Sequence, residues 1–287
     1  MTMSPDRTRN FVMLAGLVGT ALGAGAGFAY LDSQRTLKRA EVRALAYAQA
    51  QRLSQRLQES LGPAYMLASL VQQGNGKVDN FEAVAVEIMT QFPMARAVQL
   101  APMGVISQVY PLPGNEKVLG HDLIKDKARN REAHLAISRK QLTLAGPFEL
   151  MQGGLGAVGR YPVFRRQADG RTEFWGFSIV LIRVPELLSA AGFLHLRTAG
   201  MSYSLCRHPL GDEKEACVPF AREGTAVLDD PVTVDVDVPN GKWVLSLAPL
   251  QGWLRLQDWL VFGAGALGLG GLLSGLQALL LRRYASP

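Results

Sequence analysis

LTLAGPFELMQGGLGAVGRYPVFRRQADGRTEFWGFSIVLI, residues 142–182, holds three strand-like stretches. They lie near Gln141–Leu144, Gly156–Phe164 and Phe174–Ile182, and the β-branched and aromatic side chains that favour a pleated surface concentrate there. Gly153-Gly154-Leu155-Gly156 reads as a turn between strands. It is not a phosphate loop, because no Lys-Ser/Thr follows it and no βαβ unit surrounds it.

Outward from this stretch toward the N-terminus, a polar helix is predicted over Asp126–Arg139, after the turn-rich passage PLPGNEKVLG (111–120). Further strands are predicted at Ala97–Leu100 and Val105–Tyr110. Asp79 with Glu82 three residues on has the spacing of a capping box. The helix it opens carries Phe81, Val84, Ala85, Ile88 and Phe92 on one face. A long helix is expected from residue 32 to about 73, stopped by Gly74-Asn75-Gly76. Its Ala46, Ala50, Leu53 and Leu57 follow the 4-3-4 spacing of a short coiled-coil seam, which leaves open a homodimer or packing on its own domain. Toward the C-terminus, Pro185 starts a short helix. Short strands follow from Met201, including Thr233–Val238 and Trp243–Leu247. The class is α+β, helices leading into antiparallel strands.

Farther out the chain turns apolar. Phe11–Leu31 has no charge over 21 residues, and Trp259–Leu281 is a second run of 23 with Gln277 as its strongly polar member. As a helix the first is roughly 31 Å long, the thickness of a hydrocarbon core. Two transmembrane helices are therefore expected. The rival reading of the first is a cleaved signal peptide, with Arg7 and Arg9 before it and Ala24-Gly25-Ala26 as a cleavage site. Ala15, Gly19, Gly23 and Gly27 recur every four residues, so Gly19, Gly23 and Gly27 are candidates for close helix association.

Arg7 and Arg9 before the first run and Arg282 and Arg283 after the second favour cytoplasmic ends, although Arg35, Lys38, Arg39 and Arg43 crowd the other side of the first. The intervening segment is expected in the periplasm or outside the cell, its membrane lipid being that of the inner (plasma) membrane. The expected organisation is 1–10 cytoplasmic, 11–31 first span, 32–79 stalk helix and connection, 80–190 distal module, 191–258 proximal module, 259–281 second span and 282–287 cytoplasmic tail.

Composition excludes disorder, with 48% hydrophobic and 19% charged residues. Net charge is +6, but residues 32–258 carry 26 basic and 23 acidic residues, so no nucleic-acid partner is expected. Cys206 and Cys217 flank a polar loop. They pair as one disulfide in an oxidising compartment, or stay thiols in a reducing one. His121, His134, His195 and His208 lack HExxH spacing and two cysteines make no zinc cluster, so no metal and no cofactor are expected. No G-x-S-x-G elbow is present, and no enzymatic activity is expected.

GVISQVYPLPGNEKVLGHDL (104–123), LTLAGPFELMQGGLGAVGRYPVF (142–164) and EFWGFSIVLIRVPELLSAAG (173–192) together resemble the CHASE domain, over roughly residues 60–195. CHASE domains are extracytoplasmic sensors on membrane histidine kinases and nucleotide cyclases, plant cytokinin receptors among them. The resemblance implies PAS-like modules, the distal one holding a small ligand and the proximal one relaying the change. It also implies a kinase or cyclase effector, separate from this sequence or beyond it, since six residues follow the second run.

Matching back from Gly146-Pro147-Phe148 puts Asp122 where cytokinin-binding members anchor the ligand, and Leu144 where the main chain touches it. Arg160 stands where those members carry threonine. A guanidinium suits a carboxylate or phosphate better than an adenine, so the expected ligand is a small anion, unless Arg160 serves a structural ion pair. Asp122 reads equally as a helix cap or a solvated turn. Met151, Gln152, Tyr161 and Phe164 are candidates to line the same cavity. The expected function is a membrane-anchored ligand sensor. The alternative is a scaffold or accessory subunit that binds no ligand and acts by helix association.

Overall fold

A strand with a continuous apolar run must bury both faces. The strand Thr172–Arg183 (β5) has such a run in its second half, with Phe177, Ser178, Ile179, Val180, Leu181 and Ile182 all buried. In the computed structural model, which describes residues 5–127, 130–151, 153–167, 169–208, 216–224 and 227–285, it lies at the centre of a five-stranded antiparallel sheet. The neighbours are Ala95–Pro102 (β1) with Gln108–Tyr110 (β2) on one side, and Leu155–Arg166 (β4) with Thr143–Glu149 (β3) on the other. The order is β2-β1-β5-β4-β3.

The alternation of side chains sorts the two cores. Phe177, Ile179 and Leu181 face a cluster with Ala97, Ala101, Ile106, Val109, Leu123 and Val158, closed by Ala133 and Ala136 of the helix Arg131–Arg139 (α4). The other face carries Ser178, whose hydroxyl donates to the carbonyl of Ala64, so it meets the helix Gly62–Gln73 (α2). Gly176 has φ +152, and a Cβ there would meet the carbonyl oxygen of Ala101, so the close approach of β1 and β5 depends on this glycine.

After β5, the short helices Val184–Ala190 (α5) and Leu194–Thr198 (α6) lead to a second sheet. Its strands are Met201–Arg207 (β6), Val218–Glu223 (β7), Val232–Val238 (β8) and Gly241–Pro249 (β9), ordered β7-β6-β9-β8. Strand β8 alternates strictly: Val232, Val234 and Val236 are buried, while Thr233, Asp235 and Asp237 face solvent. Cys206 and Cys217 are joined in a disulfide, with an S–S distance of 2.08 Å. A loop of this size, closed over a sequence separation of 11, gains about 3 kcal/mol by the chain-entropy argument.

Several predicted elements begin or end elsewhere. The long helix is broken once: Pro5–Ser60 (α1) gives way at Leu61 to α2, because Pro63 lacks an N–H and disfavours helical geometry just before it. The capping box does not form. Asn80 precedes the helix Phe81–Gln91 (α3) at φ +50, with no side-chain cap, and Glu82 sits in the first turn. There its charge still favours the positive helix end. Helix α4 starts at Arg131 instead of residue 126, since Asp122–Lys125 form a turn first.

The chain divides into two compact units, one of residues 45–247 and one of residues 1–44 with 248–287. In the latter, α1 and the helix Leu256–Ala285 (α7) run antiparallel and touch through small residues. A Cβ on Gly19 would lie 2.9 Å from the carbonyl oxygen of Leu269, and one on Gly23 would lie 2.8 Å from the Cα of Ala266. Gly27 is covered by the ring of Phe262, and Gly16 faces Ser274. The candidate association residues thus meet α7 of the same chain. Both helices are long and apolar enough to cross a membrane, and only 11% of either apolar window is buried, unlike a core helix.

Candidate functional site

Cross-strand register builds the site. Thr143 of β3 stands opposite Arg160 of β4, Arg160 opposite Ile179 of β5, and Ile179 opposite Gln99 of β1. Opposed residues share a face, so Arg160 and Gln99 flank Ile179 in one row on the α4 side of the sheet. Both are buried, Arg160 to 2% exposure and Gln99 to 4%. They border a cavity of about 40 Å³ whose remaining wall is mainly apolar: Ile106, Leu123, Leu150, Val158 and Leu181. His121 adds a third polar group, its Nε2 lying 3.2 Å from the Asp126 carboxylate. Met151, 40% exposed, sits at the margin.

The row is chemically selective. A guanidinium stays charged in any protein environment and offers five N–H donors in a planar fork. Burying it is costly unless oxygen acceptors meet it, and carboxylate or phosphate matches the fork in pairs. The amide of Gln99 both donates and accepts. The volume, about 40 Å³, holds roughly three water-sized groups. A carboxylate group fits as it stands.

The structure separates residues that the resemblance grouped. Tyr161 cannot share the cavity with Arg160, because successive strand residues point to opposite faces. It packs at a tilt against Tyr65 of α2 instead, centroids 4.9 Å apart, over a different groove. Phe164 packs edge-on against Phe174. Leu144 is buried, and its N–H and carbonyl are taken by the side chain of Asn240 at 2.6 and 3.2 Å, which ties β3 to the β8–β9 turn. Gln152 lies outside the described residues.

Asp122 is committed to its own turn and is not among the cavity's walls. Its Oδ1 accepts from the N–H groups of Ile124 and Lys125, each at 3.0 Å, and Oδ2 is 3.1 Å from the Lys125 ammonium. The Lys125 N–H, chiefly, holds the carboxyl below the usual carboxylate range, helped by the Lys125 side chain and the Ile124 N–H. A depressed folded pKa stabilises above the unfolded value, and that contribution disappears as pH falls through the folded one. Asp122→Ala is therefore expected to lower Tm by a small margin at neutral pH. Thermal unfolding of both proteins repeated in strong acid should show the margin vanish.

Gln99 and His121 were not foreseen from sequence. Gln99 left one trace, as the polar residue inside the apolar strand Ala97–Leu100. Among the described residues no group of three His, Cys, Asp or Glu side chains could hold a metal ion.

The residues that build this sheet and its buried polar row fall within a family match: the CHASE domain matches residues 33–208. The chain belongs to the CHASE domain family. CHASE is an extracytoplasmic sensory domain, and the five-stranded sheet with its flanking helices is the PAS-like part of it. An extracellular ligand binding receptor from Desulfohalobium retbaense superposes with a TM-score of 0.55 at 14% identity, over 72% of this chain and 40% of that one. An extracellular domain assigned to a histidine kinase, rpHK1S-Z16, superposes with a TM-score of 0.50 at 13% identity, over 74% and 94%. At such identity the likeness is one of fold, and the chain spans 40% of the receptor's length. No curated protein matches the sequence.

Proposed function

We propose that this CHASE protein is a membrane-anchored sensor that binds a small anion in the Arg160 cavity outside the cytoplasm. The observation that carries the reading is a permanently charged guanidinium, 2% exposed, on the wall of a mainly apolar cavity in the first sheet. The α1 and α7 apolar segments are the anchors: their length, composition and exposed leucines suit a bilayer. Ligand binding acts by preferring one of two arrangements of the sheet and its loops, and only that differential affinity can be passed inward. The recipient is a kinase or cyclase in the cytoplasm.

The test is thermal unfolding of the whole chain in nanodiscs against a panel of small carboxylates and phosphates. A ligand at a hundred times its Kd adds about 2.7 kcal/mol. A rise of that kind should occur for at least one anion, disappear in Arg160→Met and persist in Asp122→Ala. No rise with any of them, or an equal rise in Arg160→Met, overturns the reading. A second reading, a scaffold acting by helix association, rests on the glycine seam between α1 and α7.

A further inference from the structure

The 45–247 unit has a concavity larger than the Arg160 cavity. On the other side of the first sheet a groove of about 500 Å³ opens. That volume lies in the range of metabolite pockets, whereas about 40 Å³ does not. Its floor is the Tyr65–Tyr161 pair, tilted at 56°. Burial pushes the Tyr65 phenol up, with Tyr161 adding to the shift, so at neutral pH it remains a hydroxyl donor.

The groove carries one charge of each sign on different elements. Lys140 caps the end of α4 in a left-handed turn, its ammonium 5.4 Å from the centre of the Phe164 ring. Asp237 closes the end of β8, where its carbonyl accepts from the Ser54 hydroxyl at 2.8 Å. Both side chains are exposed, and a ligand carboxylate would draw the Lys140 ammonium away from its place over the Phe164 ring. Gln58 adds a further polar group, and Leu61 and Val238 supply apolar contact.

We propose that this groove is a second small-molecule site, and that it takes a zwitterion with an aromatic or aliphatic body. The ammonium pairs with Asp237, the carboxylate with Lys140, and the body lies over the tyrosine pair, whose faces also favour a cation. An anion alone would meet Asp237 and a cation alone would meet Lys140, so the two charges select against both. Such a ligand touches α2, β4 and the end of β8 together. It links the first sheet to the second beside the Asn240 clip on Leu144, and binding there favours the arrangement in which the two are held together.

The proposal is independent of the Arg160 cavity, and one titration separates them. Whole chain in nanodiscs is titrated with L-phenylalanine and L-leucine, then with N-acetyl-L-phenylalanine and L-phenylalaninamide. At least one free amino acid should bind saturably, with each blocked form weaker by about tenfold or more, the loss expected for one charged hydrogen bond. Asp237→Asn should abolish the discrimination against the acetylated form, Lys140→Gln that against the amide, and Arg160→Met should leave both intact. The proposal falls if neither amino acid binds. It also falls if binding survives in Asp237→Asn and Lys140→Gln with its discrimination unchanged, or is lost in Arg160→Met.

Discussion

Phe177→Ala is expected to cost about 3–5 kcal/mol, the usual loss for a buried phenylalanine truncated in a core. Phe177 has no exposed surface and sits on the central strand β5, where it meets Phe174 edge-on at 5.1 Å. Its cluster holds five alanines, Ala97, Ala101, Ala133, Ala136 and Ala145, among larger side chains such as Ile106, Val109 and Leu123. The alanines have no side-chain freedom with which to fill a void, so the larger neighbours fill the space left by the ring only in part. Since a domain of this kind is stable by only about 5–15 kcal/mol, the loss takes a large share of the total. Urea unfolding followed by circular dichroism should show a lower midpoint with an unchanged slope. Phe174→Ala, at a half-buried position on the same cluster, should cost less.

Gly23→Leu is expected to separate α1 from α7. A Cβ at position 23 meets the Cα of Ala266 at 2.8 Å and the carbonyl oxygen of Gly265 at 2.9 Å. Both are backbone atoms of a helix, so no rotamer change relieves the overlap and the helices must move apart. In a bilayer, close backbone contact is the main source of helix pairing, and a leucine there removes it. A reporter disulfide reads the outcome. A Cβ on Gly16 lies 3.8 Å from that of Ser274, the separation a disulfide requires, so Gly16→Cys with Ser274→Cys should cross-link on oxidation. Adding Gly23→Leu should abolish the cross-link. Gly25→Leu, which faces open space, should leave it. The same variant distinguishes the two functional readings. A sensor keeps its anion-dependent Tm rise when the seam is broken, and a scaffold has none to keep.

Much of the fold was legible because hydropathy and propensity act over a few residues. The largely apolar β5, the alternating Val-Thr-Val-Asp-Val-Asp-Val of β8, and the glycines spaced by four on α1 each announced their own geometry. Failures came where a competing local interaction decided. Asp122 captured two N–H groups in a turn and delayed α4, and Asn80 took a left-handed conformation in place of a cap. The site was half legible. Strand alternation already separates Tyr161 from Arg160, whatever the fold. By contrast nothing in the local sequence couples Gln99 to Arg160, which lie 61 positions apart and meet through β5 alone.

By itself, then, the sequence determined which segments are helix or strand, which are apolar enough for a membrane, and which family the middle of the chain resembles. These are properties of neighbouring residues. Only the tertiary structure decided the order β2-β1-β5-β4-β3, because strand pairing is a choice among distant segments with similar patterns. That order places a buried cation and an amide on either side of one isoleucine. It also sends the tyrosine next to that cation into a different groove.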